Sequence, residues 1–349
     1  MSLDSYLRAA PKAELHVHLE GTVRPETLFE LARRNDVTLP FDSVAGLREW
    51  FRFRDFSHFI QAYALASQSV ATADDYELIA FEYAQELARQ NCRYAEIGFT
   101  PSYHRRKGVP HHVSFAGLTR ARERARRELG VEIAWNFDIS RRMGGSDAET
   151  YRWAEYTVDV AIESMGDGLV ALGLAGPEVG CPPELYARYF DRARAVGLRS
   201  YPHAGEHAGP ESVRGALDTL GAERIAHGVR AVEDPALVAE IAARGIAFDV
   251  CPTSNVCLGV APSLAEHPLP KLLAAGVPVT IASDDPPMFN TTLNDDVALL
   301  ADPFALDLAT IDEILLNGVC HSFLPAERKR ELEAEYRAEL DALKRVHLT

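Results

Sequence analysis

Four short groups of residues in this chain carry metal-binding or acid–base chemistry. His16 and His18 form an HxH pair at the end of the apolar run 13–18 (AELHVH). On an extended strand, residues i and i+2 point to the same face. Both imidazoles then converge on one point, which suits a metal such as zinc. His203-Ala-Gly-Glu206 ends another run, and His227-Gly228 ends the next. Ser283-Asp284-Asp285-Pro286 follows the last of them. Adjacent carboxylates on an extended chain diverge, so one can reach a metal while its neighbour reaches a substrate. Each group also has a structural explanation. A histidine at a strand end is commonly a hydrogen-bonded packing residue, HAGE can be a turn with a capping carboxylate, and DDP can open a turn. The argument for chemistry is their conjunction.

The elements that must position these groups follow a rhythm of short apolar runs and longer amphipathic segments. The runs are 13–18, 93–99, 131–139, 169–175, 198–203, 224–227, 246–251 and 277–282. Most lack strict alternation, as strands buried on both faces should. Helical patterns lie between them, at 74–90, 117–129, 150–163, 183–196, 211–220 and 235–244. Eight strands alternating with helices predict a (β/α)8 TIM-type barrel, a single domain over 1–349. The four groups then sit at the C-terminal ends of strands one, five, six and eight, the face where such barrels place active sites. Residues 25–72 look helical and form an insertion after strand one, expected to lie over that face.

Composition narrows the partners. The chain has 349 residues, 47% hydrophobic, enough for a large core, and a formal net charge of -15. That charge repels phosphate backbones and anionic headgroups, so no nucleic acid or membrane partner is expected. Five cysteines without CxxC spacing suggest reduced thiols rather than a disulfide or structural-zinc framework. With no leader-like or membrane-spanning stretch, a cytoplasmic location is expected. The arginine-rich 120–128 is expected to be a solvated helix face. His104, His111 and His112 are expected on a loop after strand two, without a metal. The amphipathic stretch 326–345 should pack on the barrel or on another subunit, which is compatible with a homo-oligomer.

At this point the chain resembles the adenosine deaminase family of metal-dependent hydrolases. The matching pieces are PKAELHVHLEG (11–21), GLAGPE (173–178), HAGE (203–206), ERIAHG (223–228), CPTSN (251–255) and SDDP (283–286), in family order. The resemblance implies one Zn2+ per chain, held by His16, His18, His203 and Asp284 with a position left for water. It implies that His227 orients that water and accepts its proton, and that Glu206 protonates purine N1 as C6 is attacked. Asp285 would hydrogen-bond N7, and the Gly176 backbone N–H would meet N3. Ammonia would leave a 6-oxopurine. A glutamate buried beside a purine should have a raised pKa, as proton donation requires.

The resemblance leaves the N9 substituent open. Most family members of this kind carry Asp in an HLDG motif, where it meets the ribose 5′-hydroxyl, whereas this chain has Glu20. Relatives with Glu include adenine deaminases and deaminases of 5′-substituted nucleosides such as 6-aminodeoxyfutalosine. Glu20 is expected at the pocket entrance as a substrate contact, with aromatic 51–63 and SDDPPMF (283–289) housing an extended substituent and Arg52 or Arg54 pairing with an anionic one. The expected substrate is therefore a small purine nucleoside, adenosine or a 5′-modified adenosine, with adenine as the alternative. Two more distant readings are a two-metal barrel amidohydrolase and a non-catalytic binding relative. No lysine lies between Lys107 and Lys271 to bridge two metals. The intact ligand set and Glu206 oppose a non-catalytic role.

Overall fold

The strands expected from the apolar runs all form. In a computed structural model, which describes residues 2–142 and 145–348, they are β1 (Lys12–His18), β2 (Cys92–Phe99), β3 (Glu132–Ser140), β4 (Leu169–Ala175), β5 (Arg199–Ala204), β6 (Arg224–His227), β7 (Ala247–Val250) and β8 (Val279–Ile281). They lie in sequential order and pair in parallel. Every residue of β1, β6, β7 and β8 is buried, which explains why the sequence shows apolar runs rather than alternation. The barrel closes through Asp284. Its N–H donates to His16 O, and its carbonyl accepts from His18 N–H. The architecture is a (β/α)8 barrel.

Beneath the C-terminal mouth, the barrel interior holds a buried ion cluster. Arg224 donates to Glu96 at 2.5 Å and to Asp249 at 2.6 Å, with its guanidinium between the rings of Tyr201 and Phe323. Such a charge persists in a dry core only when its donors are paired. Tyr201 in turn contacts the His16 ring edge-on.

The insertion comprises helices Pro25–Arg34, Val44–Trp50 and Phe56–Ser69. The last brings Phe56, Phe59, Ile60 and Tyr63 over the mouth. One expectation needs correction. His104 lies on a helix, Pro101–Arg106, and His111 and His112 begin another, His111–Leu129, rather than on a loop. Arg120 on that second helix pairs with Asp74 and Glu77 at the surface. The C-terminal helix Ala326–His347 buries Leu332, Tyr336 and Leu340 and ties Tyr336 to the carbonyl of Lys12. Among the described residues, no helix is long and apolar enough to cross a membrane.

Candidate active site

The four residues expected to hold a metal meet at the barrel mouth. His16 and His18 come from β1, His203 from β5, and Asp284 from the turn that closes β8 onto β1. His18 Nε2 is 3.2 Å from His203 Nε2. Asp284 Oδ1 is 3.3 Å from His16 Nε2 and 3.4 Å from His18 Nε2. Donors about 2.0–2.1 Å from one ion in tetrahedral array stand roughly 3.3–3.4 Å apart, so these spacings suit a single metal. His16 Nε2 is buried and makes no hydrogen bond of acceptable geometry, as an atom intended for a metal should. Ser254 donates to Asp284 Oδ2 at 2.6 Å, leaving Oδ1 turned to the imidazoles. Asp284 and His227 both have φ 65°, strained for residues with a side chain and typical of functional positions. Among the described residues, the groups able to hold an ion are His16–His18–His203 and His16–His227–Asp284, one shared cluster.

The electrostatics favour a cation. Burial lowers the His16 pKa to about 4, and burial together with neighbouring histidines takes His203 well below its ordinary value. Both rings are therefore neutral and keep the lone pair that a metal needs. For His18 burial also opposes charge, but Asp138 foremost and Asp284 oppose that and hold the ring at about 10. Carboxylates that favour a proton on His18 equally favour a metal cation there.

Glu206 and His227, the residues expected to act as acid and base, lie beside this cluster. Glu206 Oε1 is 3.7 Å from His227 Nε2. The loop carrying Glu206 is pinned by Glu178, whose carboxylate accepts the N–H groups of Gly205, Glu206, His207 and Ala208 at 2.6–3.1 Å. The raised pKa expected for Glu206 is not found. Burial pushes it up, but His227 and His207 outweigh burial and the pKa is lowered.

Asp285 behaves oppositely to its neighbour. Burial, reinforced by the Asp284 charge, raises its pKa well above the carboxylate range, while Asp284 is held well below it by His16 and other histidines that outweigh burial. Two adjacent carboxyls thus separate into one acid and one carboxylate. Asp285 Oδ1 is buried without a partner. Gly21 faces it, and a Cβ there would lie 1.6 Å from that oxygen. Gly176 has φ 87°, a conformation suited to glycine. Asp285, Gly176, Glu206, His227, His18, His203 and Asp284 line one cavity, walled by Phe56, Phe59, Ile60, Tyr63, Tyr103 and Leu258.

Glu20 is not at the entrance. Its carboxylate is fully buried. Tyr63 OH donates to Oε2 at 2.9 Å, while the Thr100 N–H at 3.2 Å and His104 Nε2 at 3.0 Å meet Oε1. Both oxygens are engaged within the protein because the insertion and the segment after β2 converge on Glu20, just past the end of β1. Arg52 pairs with Glu49 at the surface, and neither Arg52 nor Arg54 lines the cavity.

Asp138, Glu178, Ser254, Asn255 and His267 were missed as supporting groups. The GLAGPE and CPTSN matches contain three of them. Asp138 and His267 lie in no motif.

The family model described as adenosine deaminase matches residues 11–338. The chain belongs to the adenosine deaminase family. This makes it an aminohydrolase. Within the family it is 43% identical to an aminodeoxyfutalosine deaminase of Streptomyces avermitilis, covering 95% of this chain and 92% of that protein. It is 40% identical to an adenine deaminase of Cupriavidus taiwanensis, covering 96% and 93%. A solved structure of an amidohydrolase from Burkholderia ambifaria with bound zinc superposes with a TM-score of 0.90 at 27% identity, covering 98% of this chain and 94% of that one.

Proposed function

We propose that this deaminase acts, as one barrel domain, on a 6-aminopurine nucleoside, with zinc as its metal. The observation that carries the reading is that His18, His203, Asp284, Glu206, His227, Asp285 and Gly176 line one cavity, with His16 in the same donor cluster. The related structure with bound zinc supports the choice of ion. His16, His18, His203 and Asp284 would hold the zinc, which when bound would lower the pKa of a water toward neutrality.

The remaining chemistry belongs to the side chains. The purine ring resists attack at C6 until N1 is protonated, and Glu206 delivers that proton. His227 orients the attacking water. Asp285, kept neutral by burial and by Asp284, donates a hydrogen bond to N7, an acceptor. The N–H of Gly176 meets N3, because a residue without a side chain lets the ring approach the backbone. The C6–N bond breaks, ammonia leaves, and a 6-oxopurine remains.

For the N9 side we favour a 5′-extended nucleoside of the 6-aminodeoxyfutalosine type over adenosine. Phe56, Phe59, Ile60, Tyr103 and Leu258 line the same cavity and offer apolar surface to a substituent. Free adenine is the second reading. It is favoured by Glu20, whose carboxylate is buried on partners within the protein and does not line the cavity. The test is kcat/KM for 6-aminodeoxyfutalosine, adenosine and adenine on one zinc-loaded preparation. The 5′-extended nucleoside should lead. Adenine ahead by more than ~10-fold, about 1.4 kcal/mol in transition-state binding, overturns the nucleoside assignment. Ammonia from none of the three overturns the 6-aminopurine reading.

A further inference from the structure

Behind His227 a hydrogen-bond chain leaves the active site and ends on a backbone amide. His227 Nδ1 is 3.2 Å from Asn255 Nδ2. Asn255 Oδ1 is 3.0 Å from His267 Nε2. The N–H of Leu269 donates to His267 Nδ1 at 3.1 Å. Asn255, His267 and His227 are all buried.

The direction of every bond follows from the last one. A backbone N–H can only donate, so His267 Nδ1 must accept and carries no proton. The ring proton of His267 is then on Nε2 and is donated to Asn255. Burial supports this by lowering the His267 pKa to about 4, so the ring is neutral. An oxygen of Asn255 must receive that proton, which fixes the amide orientation and turns its NH2 toward His227. His227 Nδ1 must therefore accept, and a neutral His227 bears its proton on Nε2. That nitrogen faces the site, 3.7 Å from Glu206 Oε1 and 3.9 Å from Asp284 Oδ2.

We infer that His267 and Asn255 are positioning residues that hold His227 in the tautomer with its proton on Nε2, so that His227 meets the reacting oxygen as a hydrogen-bond donor and not as a base. The inference rests on the proposed placement of His227 at the attacking water. It revises the expectation that His227 accepts the water proton. The nearby Glu206 carboxylate is then the acceptor. The water O–H bond breaks as the C6–O bond forms, and the proton passes to Glu206 and on to N1. One proton of the water makes both transfers, and the other, on the new C6 hydroxyl, passes to the amino nitrogen as the C6–N bond breaks, so that ammonia leaves and the C6 carbonyl forms.

The test uses the zinc-loaded full chain. With 15N-labelled histidine, the ring signals of His227 are assigned by their loss in His227→Ala. The wild type should show Nε2 protonated and Nδ1 bare. Asn255→Asp keeps the shape but accepts from both rings, so it should invert the His227 tautomer and lower kcat by roughly 10²-fold or more, with zinc content and KM little changed. His267→Phe should lower kcat by about 10-fold, and His267→Gln, whose amide N–H replaces Nε2–H, should recover most of it. A bare Nε2 in the wild-type spectrum overturns the inference, as does full kcat in Asn255→Asp. The spectrum is independent of turnover. Loss of the 6-aminopurine assignment would leave it standing, so the two failures are separable. Should Asn255→Asp not fold, the wild-type spectrum and the His267 pair still decide.

Discussion

Asp138 Oδ2 lies 3.5 Å from His18 Nδ1, in a slot that two glycines keep open. Gly173 is paired with Asp138 across β3 and β4, and Gly98 is paired with His18 across β1 and β2. A Cβ on Gly173 would stand 1.9 Å from Asp138 Oδ1, and one on Gly98 would stand 2.8 Å from Oδ2 and 2.9 Å from His18 Nδ1. A carboxylate behind a ligating imidazole fixes its tautomer and leaves the other nitrogen for the metal. Asp138→Asn should therefore weaken zinc binding by about 10–100-fold in a chelator competition. Unchanged affinity would make Asp138 a bystander.

The metal-donor cluster predicts one zinc per chain by elemental analysis and loss of activity on chelation, restored by zinc. Asp284→Ala should lower occupancy first. Two tightly held ions, both needed for turnover, would refute the single-metal site.

Glu206→Gln should keep its zinc and lose roughly 10²–10⁴-fold in kcat, because an amide neither takes nor delivers the N1 proton. Near-normal turnover at full zinc loading would remove Glu206 from the chemistry.

Glu20→Asp separates two roles. The shorter side chain cannot serve Tyr63, Thr100 and His104 together. Each buried partner lost should cost about 1–3 kcal/mol, seen as a lower Tm. Turnover should fall alike for adenine and nucleosides. A loss confined to nucleosides would instead mark a direct ribose contact.

Asp296 gives a pH signature. It is buried, accepting from the Thr253 N–H and the Thr291 hydroxyl, and burial pushes its pKa up to about 7. An unfolded aspartate titrates near ~3.9. The folded state thus holds the proton more tightly, and this stabilisation is present below about pH 4 and lost as pH rises through about 7. Between pH 5 and pH 8, urea melts should show the wild type losing on the order of 2 kcal/mol relative to Asp296→Asn, which cannot ionise. Parallel pH curves for the two proteins would exclude the shift.

The barrel and the grouping of the candidate metal donors at its mouth were legible in the chain because their signals are local. A strand buried on both faces writes an apolar run, and HxH on a strand places two rings on one face whatever surrounds it. Glu178 and Ser254 sat inside recognisable motifs, but their jobs did not. Nothing in GLAGPE says that its glutamate collects four N–H groups from residues 205–208.

By itself, the sequence determined a parallel barrel with His16, His18, His203, His227, Glu206 and the Asp284–Asp285 pair at its mouth, since strand periodicity and strand-end placement need only neighbouring residues. Tertiary structure alone decided what those groups are. Asp284 and Asp285 have the same side chain, yet the histidines around one keep it ionised while burial and its neighbour keep the other protonated. Glu20 became a buried tie because Tyr63 and His104, far along the chain, arrive at its oxygens. The charge, tautomer and reach of a polar group depend on the donors and acceptors within a few ångströms, and barrel closure chooses those from residues that the chain keeps far apart.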